Sequence, residues 1–326
     1  MNSSKNYCGI EIQTPVSESE DGVDLMGSGR SPQHFSLEDY DSKLDAFDIA
    51  VCEAIAVSQA AANRYVAPHH GYGSYIFACL CNHAVEMIRA APRSRWVRSD
   101  FEHWAFSSVA GHARAIIEGQ LLFLYLIETP VSTEAWSARL NVMHLNDCTR
   151  RIKFFTNLGS SEAEIAAFES KAEEIEGRLK ANSFFNSLPD ATQKRCLAGD
   201  FLMISSRDEM LEKAGWDRSH FNAAFDLLSN HTHILPMSFY SMEPNGRGTG
   251  IANDADGGYI AMFLEICADI LRATTDSMVD AFPDVANVRL GKKSTFSPGP
   301  HENVAADSQA LKRKVRVHKR RRQNKS

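Results

Sequence analysis

The chain has 326 residues, 44% hydrophobic and 23% charged, which is the balance of a globular protein with ample core, and nothing in its middle reads as an interdomain linker. Its net charge of −6 conceals a segregation: nine of the 35 basic side chains fall in the last fifteen residues with no acid among them, leaving 26 bases against 41 acids elsewhere, a balance of −15. Seven scattered cysteines without a C-x-x-C pair argue against a secreted disulfide scaffold or a structural zinc site, and neither a secretory signal nor an apolar run of membrane-spanning length is expected, so the sequence points to a cytoplasmic protein with reduced thiols.

Residues 1–34 are rich in Ser, Gly, Glu and Asp and are expected to form a disordered acidic tail. Ser36, with Asp39 three residues on, predicts a helix start, and Leu37, Tyr40, Leu44, Phe47, Val51 and Ile55 recur at intervals of three and four to about Arg64. Residues 67–73 (APHHGYG) read as a turn. A second helix, SYIFACLCNHAVEMIRA, stops before Pro92. A third is expected from near Trp96 through residue 127, bent near Gly111. A fourth follows Ser132 and Thr133 and stops at Gly159. Ser161 and Glu164 predict a capping box for a fifth, charged and peripheral helix. Short pieces fill 182–200, and a short helix is expected over 201–214. Asp217 or Ser219 starts the next helix, which ends in SNHTHILP. A Gly- and Asn-rich loop precedes a long helix from about Tyr259 to Asp280, stopped by Pro283. With no repeat and no strand alternation, the class is all-α: a single bundle of about seven or eight helices over 35–283, followed by a linker and basic tail over 284–326.

The stretch Val109–Ile127, VAGHARAIIEGQLLFLYLI, is apolar around its whole helical circumference and predicts a buried central helix. It nevertheless carries Arg114 and Glu118 one turn apart on one face. Charges in a core need partners. Ser229 and His233, also four apart, end another apolar helix. If the two helices pack together, a guanidinium, a carboxylate, a hydroxyl and an imidazole converge. Such a set could bind an anion and move a proton, or could serve only to fix the register of the two helices.

These residues also carry a resemblance. An Arg114-x-x-x-Glu118 helix leads into a Leu- and Tyr-rich run, an ETPVSTEAW turn and a helix bearing Arg139. Much later comes Phe225-x-x-x-Ser229-x-x-x-His233. Over residues 45–240 this order resembles an uncharacterised prokaryotic family of all-helical proteins, a domain of unknown function, with Phe225 where that pattern has tyrosine. The resemblance implies a fold and a site but no reaction. R-x-x-x-x-H, which resembles the ribonuclease signature of HEPN helical domains, occurs as Arg64–His69, Arg98–His103, Arg139–His144 and Arg313–His318. Roughly two or three Arg-x(4–6)-His spacings arise by chance in a chain of this composition.

His231 and His233, with His83 and Glu86 on another helix, offer metal-ligand chemistry. The E-x-x-H pairs of a di-iron bundle are missing, and no metal or cofactor is expected. The basic segment, with Lys312, Arg313, Lys314, Arg316, Lys319, Arg320, Arg321 and Arg322, predicts contact with RNA or DNA. Self-association is compatible with the sequence. Two functional readings follow. One is a helical binding module that contacts nucleic acid through its tail. The other is a metal-independent ribonuclease of toxin or phage-defence type that uses a buried Arg114, Glu118, Ser229 and His233 cluster.

Overall fold

A computed structural model describes residues 35–294; the calls on the acidic and basic tails therefore lie outside the described residues. The described chain is all-α, with eleven α-helices and two 3₁₀ turns, and the one β-bridge among the described residues pairs Trp104 with Gly250. Seven of the helices have 15 residues or more: α1 (Leu37–Ala60), α2 (Pro68–Ala90), α3 (Ser107–Ile127), α4 (Thr133–Leu158), α5 (Glu162–Lys180), α9 (Arg218–Thr232) and α11 (Asp254–Ala281). The short ones are α6 (Ser183–Asn186), α7 (Asp190–Leu197), α8 (Arg207–Lys213) and α10 (Pro236–Tyr240). No described helix is long and apolar enough to cross a membrane. No disulfide joins the described cysteines.

Most helix starts follow from side-chain caps. Ser36, Ser132 and Asp217 each accept a backbone N–H from the first turn they precede, and Ser161 with Glu164 forms the expected capping box. Gly159, at φ 68°, ends α4 in the left-handed region that glycine enters without strain.

Five boundaries differ from expectation. The first helix ends at Ala60 rather than near Arg64, and the short helix expected over 201–214 occupies only Arg207–Lys213, where Ser206 and Glu209 form a capping box. The 67–73 segment is helical, because Pro68 occupies the first helical position, where its fixed φ is an advantage, and its glycines are packed rather than turned. The third helix begins at Ser107, not near Trp96. Residues 91–106 are irregular and are anchored by Trp96 and Trp104 in the core. The last helix starts five residues early, at Asp254, with Asn253 capping the N–H of Asp256.

α3 is the centre of the bundle and packs on α2, α8, α9 and α11. Within it only Ser107 and Glu118 are exposed. α2 and α3 run antiparallel at close range. A Cβ on Gly73 would lie 2.4 Å from Cδ1 of Ile127, and one on Gly119 would lie 2.6 Å from Cδ2 of Leu80. α1 packs on α2 and α11, and the 3₁₀ turns at Pro283–Val288 and Gly291–Lys293 pack back on α1, where Arg289 bonds Glu53. α4 and α5, with α6 and α7, enclose a second apolar nucleus of Ala138, Val142, Leu145, Cys148, Ile175, Leu179, Phe185 and Cys196. Arg139 fastens this part to the end of α3, donating to the Tyr125 carbonyl and to Glu128.

Candidate functional site

The packing of α9 on α3 sets the geometry of the site. α9 buries Phe221, Ala224, Leu227 and Leu228, which are spaced for one helical face. Its last turn lies over the small residue Gly111, where a Cβ would be 3.7 Å from Cγ2 of Thr232. This brings the end of α9 beside Arg114.

Arg114 and His233 do meet. Nη1 of Arg114 is 3.0 Å from Nε2 of His233, and Nε is 3.4 Å from Oε2 of Glu118. The guanidinium also lies over the Phe225 ring, 4.4 Å from its centroid, within cation–π range. Two expectations fail. The cluster is not buried: the Arg114 side chain is 22% exposed, that of Glu118 46%, and His233 is exposed. The narrow polar face of α3 is left uncovered at Glu118, so water shares the burden of solvating the charges. Nor does Ser229 join the other three, because its hydroxyl donates to the Phe225 carbonyl one turn back in its own helix, at 2.7 Å.

Two features were not foreseen from the sequence. Arg207, the first residue of α8, also lies over Phe225, at 5.1 Å, so two guanidiniums share one ring that is itself stacked on Phe221. His233 caps α9 through a Schellman turn: its N–H donates to the Ser229 carbonyl, and the N–H of Leu235 reaches back to Asn230. The left-handed residue this turn needs is Ile234, at φ 54°, a β-branched side chain where glycine is usual. The chain beyond it is apolar and exposed at Ile234, Leu235, Met237, Phe239, Tyr240 and Met242.

His231 and His233 face different ways and do not form a ligand pair. The His231 ring meets Phe106 edge-on at 4.7 Å, and burial lowers its pKa against the pull of Asp256. His83 pairs with His112 instead, Nδ1 to Nδ1 at 3.3 Å. Among the described residues no group of three or more His, Cys, Asp or Glu side chains is gathered about a common point.

The R-x-x-x-x-H spacings do not assemble a joint site either. Arg139 is taken up by Glu128 and the Tyr125 carbonyl, whereas His144 meets the Tyr72 hydroxyl at 3.3 Å. Arg64 pairs with Asp284, while His69 lies edge-on to Trp136. Arg98 and His103 lie exposed on the irregular segment before α3, and Arg313 and His318 are outside the described residues.

No protein-family model matches the chain, and neither a search of curated proteins nor one of solved structures finds a match, so the family likeness rests on the residues that carry it.

Proposed function

We propose that the protein is an intracellular, cytoplasmic binding module for single-stranded nucleic acid. The observation that carries this reading is the charge segregation: Lys312, Arg313, Lys314, Arg316, Lys319, Arg320, Arg321 and Arg322 lie in one short segment free of acids, on a chain that is otherwise strongly acidic. Such a segment binds phosphates without reading sequence, and its affinity falls as salt rises. The end of α9 supports a second point of contact. His233 is exposed there, and α10, packed on α9, presents Phe239 and Tyr240 to solvent. Exposed aromatic rings near cationic side chains are the elements on which unpaired bases stack.

The test is the binding of a fluorescent RNA oligonucleotide by the full chain, by a form lacking residues 312–326, and by Tyr240→Ala. The deletion should weaken binding at least tenfold at low salt and flatten the salt dependence. Tyr240→Ala should weaken binding with the salt dependence unchanged. Undiminished binding by the deletion form would overturn the reading.

A ribonuclease remains the second reading, favoured by the solvent-facing contact between Arg114 and His233. In that reading His233, turned off Arg114 so that Nε2 is free, takes the proton of a ribose 2′-hydroxyl as that oxygen attacks phosphorus, Arg114 stabilises the phosphorane, the 5′-oxygen leaves with the proton that the imidazolium returns, and Glu118 orients the guanidinium. Ser229, bonded within its helix, would have no part in the proton transfer. RNA cleavage that disappears in His233→Ala would establish this reading; equal cleavage by the variant would remove it.

A further inference from the structure

We propose that the tip of the α4–α5 hairpin is a docking face for a second copy of this chain. No residue between Cys148 on α4 and Ile175 on α5 is buried, although each helix runs unbroken through its part of that stretch. Helices draw most of their stability from packing an apolar face. Inside this hairpin the packing centres on one ring stack, Phe155 on Phe168 at 5.4 Å, with Arg151 over the Phe168 ring. Apolar side chains are left outside it. Phe154 is 57% exposed and Leu158 63%, four residues apart on one face of α4.

The face is shaped to fit itself. With Phe155 and Phe168 turned toward each other, helical geometry puts Phe154 and Leu158 of α4 on the same side of the hairpin as Ala163 and Ala167 of α5. Thr149 and Lys153 meet Gly199 and Asp200 on the other side, and all four residues of the proposed face are exposed. A two-fold copy laid on this face sets the two bulky side chains of each chain over the two alanines of the other, the isologous pattern of a closed dimer. The product is four helices packed side by side.

The charges are arranged the same way. From Cys148 to Leu158, α4 carries Arg150, Arg151 and Lys153 and no acid; from Ser160 to Ser170, α5 carries Glu162, Glu164 and Glu169 and no base. When α4 of one protomer lies on α5 of its partner, opposite charges meet twice. A second copy supplies both the alanines and the complementary charges by symmetry, whereas a nucleic acid would meet an acidic half. Two helices wide and about 15 Å long, the face is at the small end of specific interfaces, so the dimer is expected to be weak. It would bring two basic segments onto one particle and raise the affinity for a polyanion long enough to reach both, a consequence that, unlike the dimer itself, rests on the basic segment binding nucleic acid.

The experiment is sedimentation equilibrium on nuclease-treated, full-length protein over a range of loading concentrations. A monomer–dimer equilibrium is expected, with a dissociation constant in the micromolar range that rises with salt. The double variant Phe154→Glu/Leu158→Glu should weaken association at least tenfold. So should Ala167→Lys, which keeps a good helix former on α5 and sets a base against the basic stretch of the partner's α4. Circular dichroism of each should match the parent. Met237→Glu, in the exposed apolar segment at α10, should associate as the parent does. A parent that stays monomeric throughout, a dimer that both hairpin variants leave intact, or a dimer lost in Met237→Glu would overturn the proposal.

Discussion

Arg114 and His233, 119 residues apart, are joined by a contact whose polarity is fixed. A guanidinium can only donate, so Nε2 of His233 accepts and the ring proton of a neutral imidazole sits on Nδ1. The contact is exposed, and each partner keeps access to water. His233→Ala should therefore change the unfolding free energy by less than about 0.5 kcal/mol. Arg114→Ala, which also removes the stacking on Phe225, should cost about 1 kcal/mol. Urea denaturation of the two variants checks both. A loss of 2 kcal/mol or more in His233→Ala would make the pair an architectural element and argue against any chemistry there.

Ile234 holds a left-handed conformation that its branched side chain resists, at a cost on the order of 1–3 kcal/mol. The side chain is 75% exposed and so has little packing to lose. Ile234→Gly should stabilise the protein by about 1 kcal/mol, seen as a higher thermal midpoint. A lower midpoint would show that Ile234 makes contacts worth more than the strain.

Asp48 is buried on α1 and accepts the Trp96 indole N–H at 2.7 Å together with a two-pronged ion pair from Arg95. It is the anchor of the irregular segment 91–106. Asp48→Ala would strand the indole N–H and leave Arg95 without its carboxylate, for a loss of about 3 kcal/mol. A chevron or equilibrium denaturation curve measures it; a loss under 1 kcal/mol would mean that Arg95 simply turns outward to water.

Stability should also fall on acidification in the histidine range. Burial lowers the pKa of His112, His144 and His231 in the folded chain, below the 6.5 of an unperturbed ring. The unfolded chain thus binds protons first, and stability rises with pH across the interval between the folded and unfolded values. Below that interval the histidine contribution is lost, and above 6.5 it is fully present. Thermal midpoints taken from pH 7.5 down to 5 should decline, and His231→Gln should make the decline shallower. A flat profile would show that these rings protonate without cost in the fold.

Much of the architecture was legible because caps are local. Ser36, Ser132, Ser161, Asp217 and Gly159 mark helix ends by chemistry confined to three or four residues. Tertiary contacts hid the rest. Gly71 and Gly73 read as turn residues, yet Gly73 is there to let Ile127 approach. The stretch from Trp96 onward read as the start of the third helix, yet Trp96, Trp104 and Phe106 pin irregular backbone to α1 and α11 through Asp48, Tyr40 and Phe263. At the candidate site, spacing of four residues put Arg114 and Glu118 on one face but could not tell whether that face was covered. Arg207 was invisible for a related reason: its place over Phe225 comes from how α8 packs on α9, which no sequence spacing encodes.

The second apolar nucleus has a consequence for synthesis. Its residues, Ala138 to Cys196, are contiguous in the chain and close on near neighbours. α1, by contrast, packs on α11, more than 200 residues later. On the ribosome, the α4–α7 portion has most of its partners once residue 204 emerges, since Gly199 and Ile204 complete its packing and bonding, whereas α1 must wait for nearly the whole domain. The nascent chain thus carries a finished middle between unfinished ends, and it is the ends that need shielding.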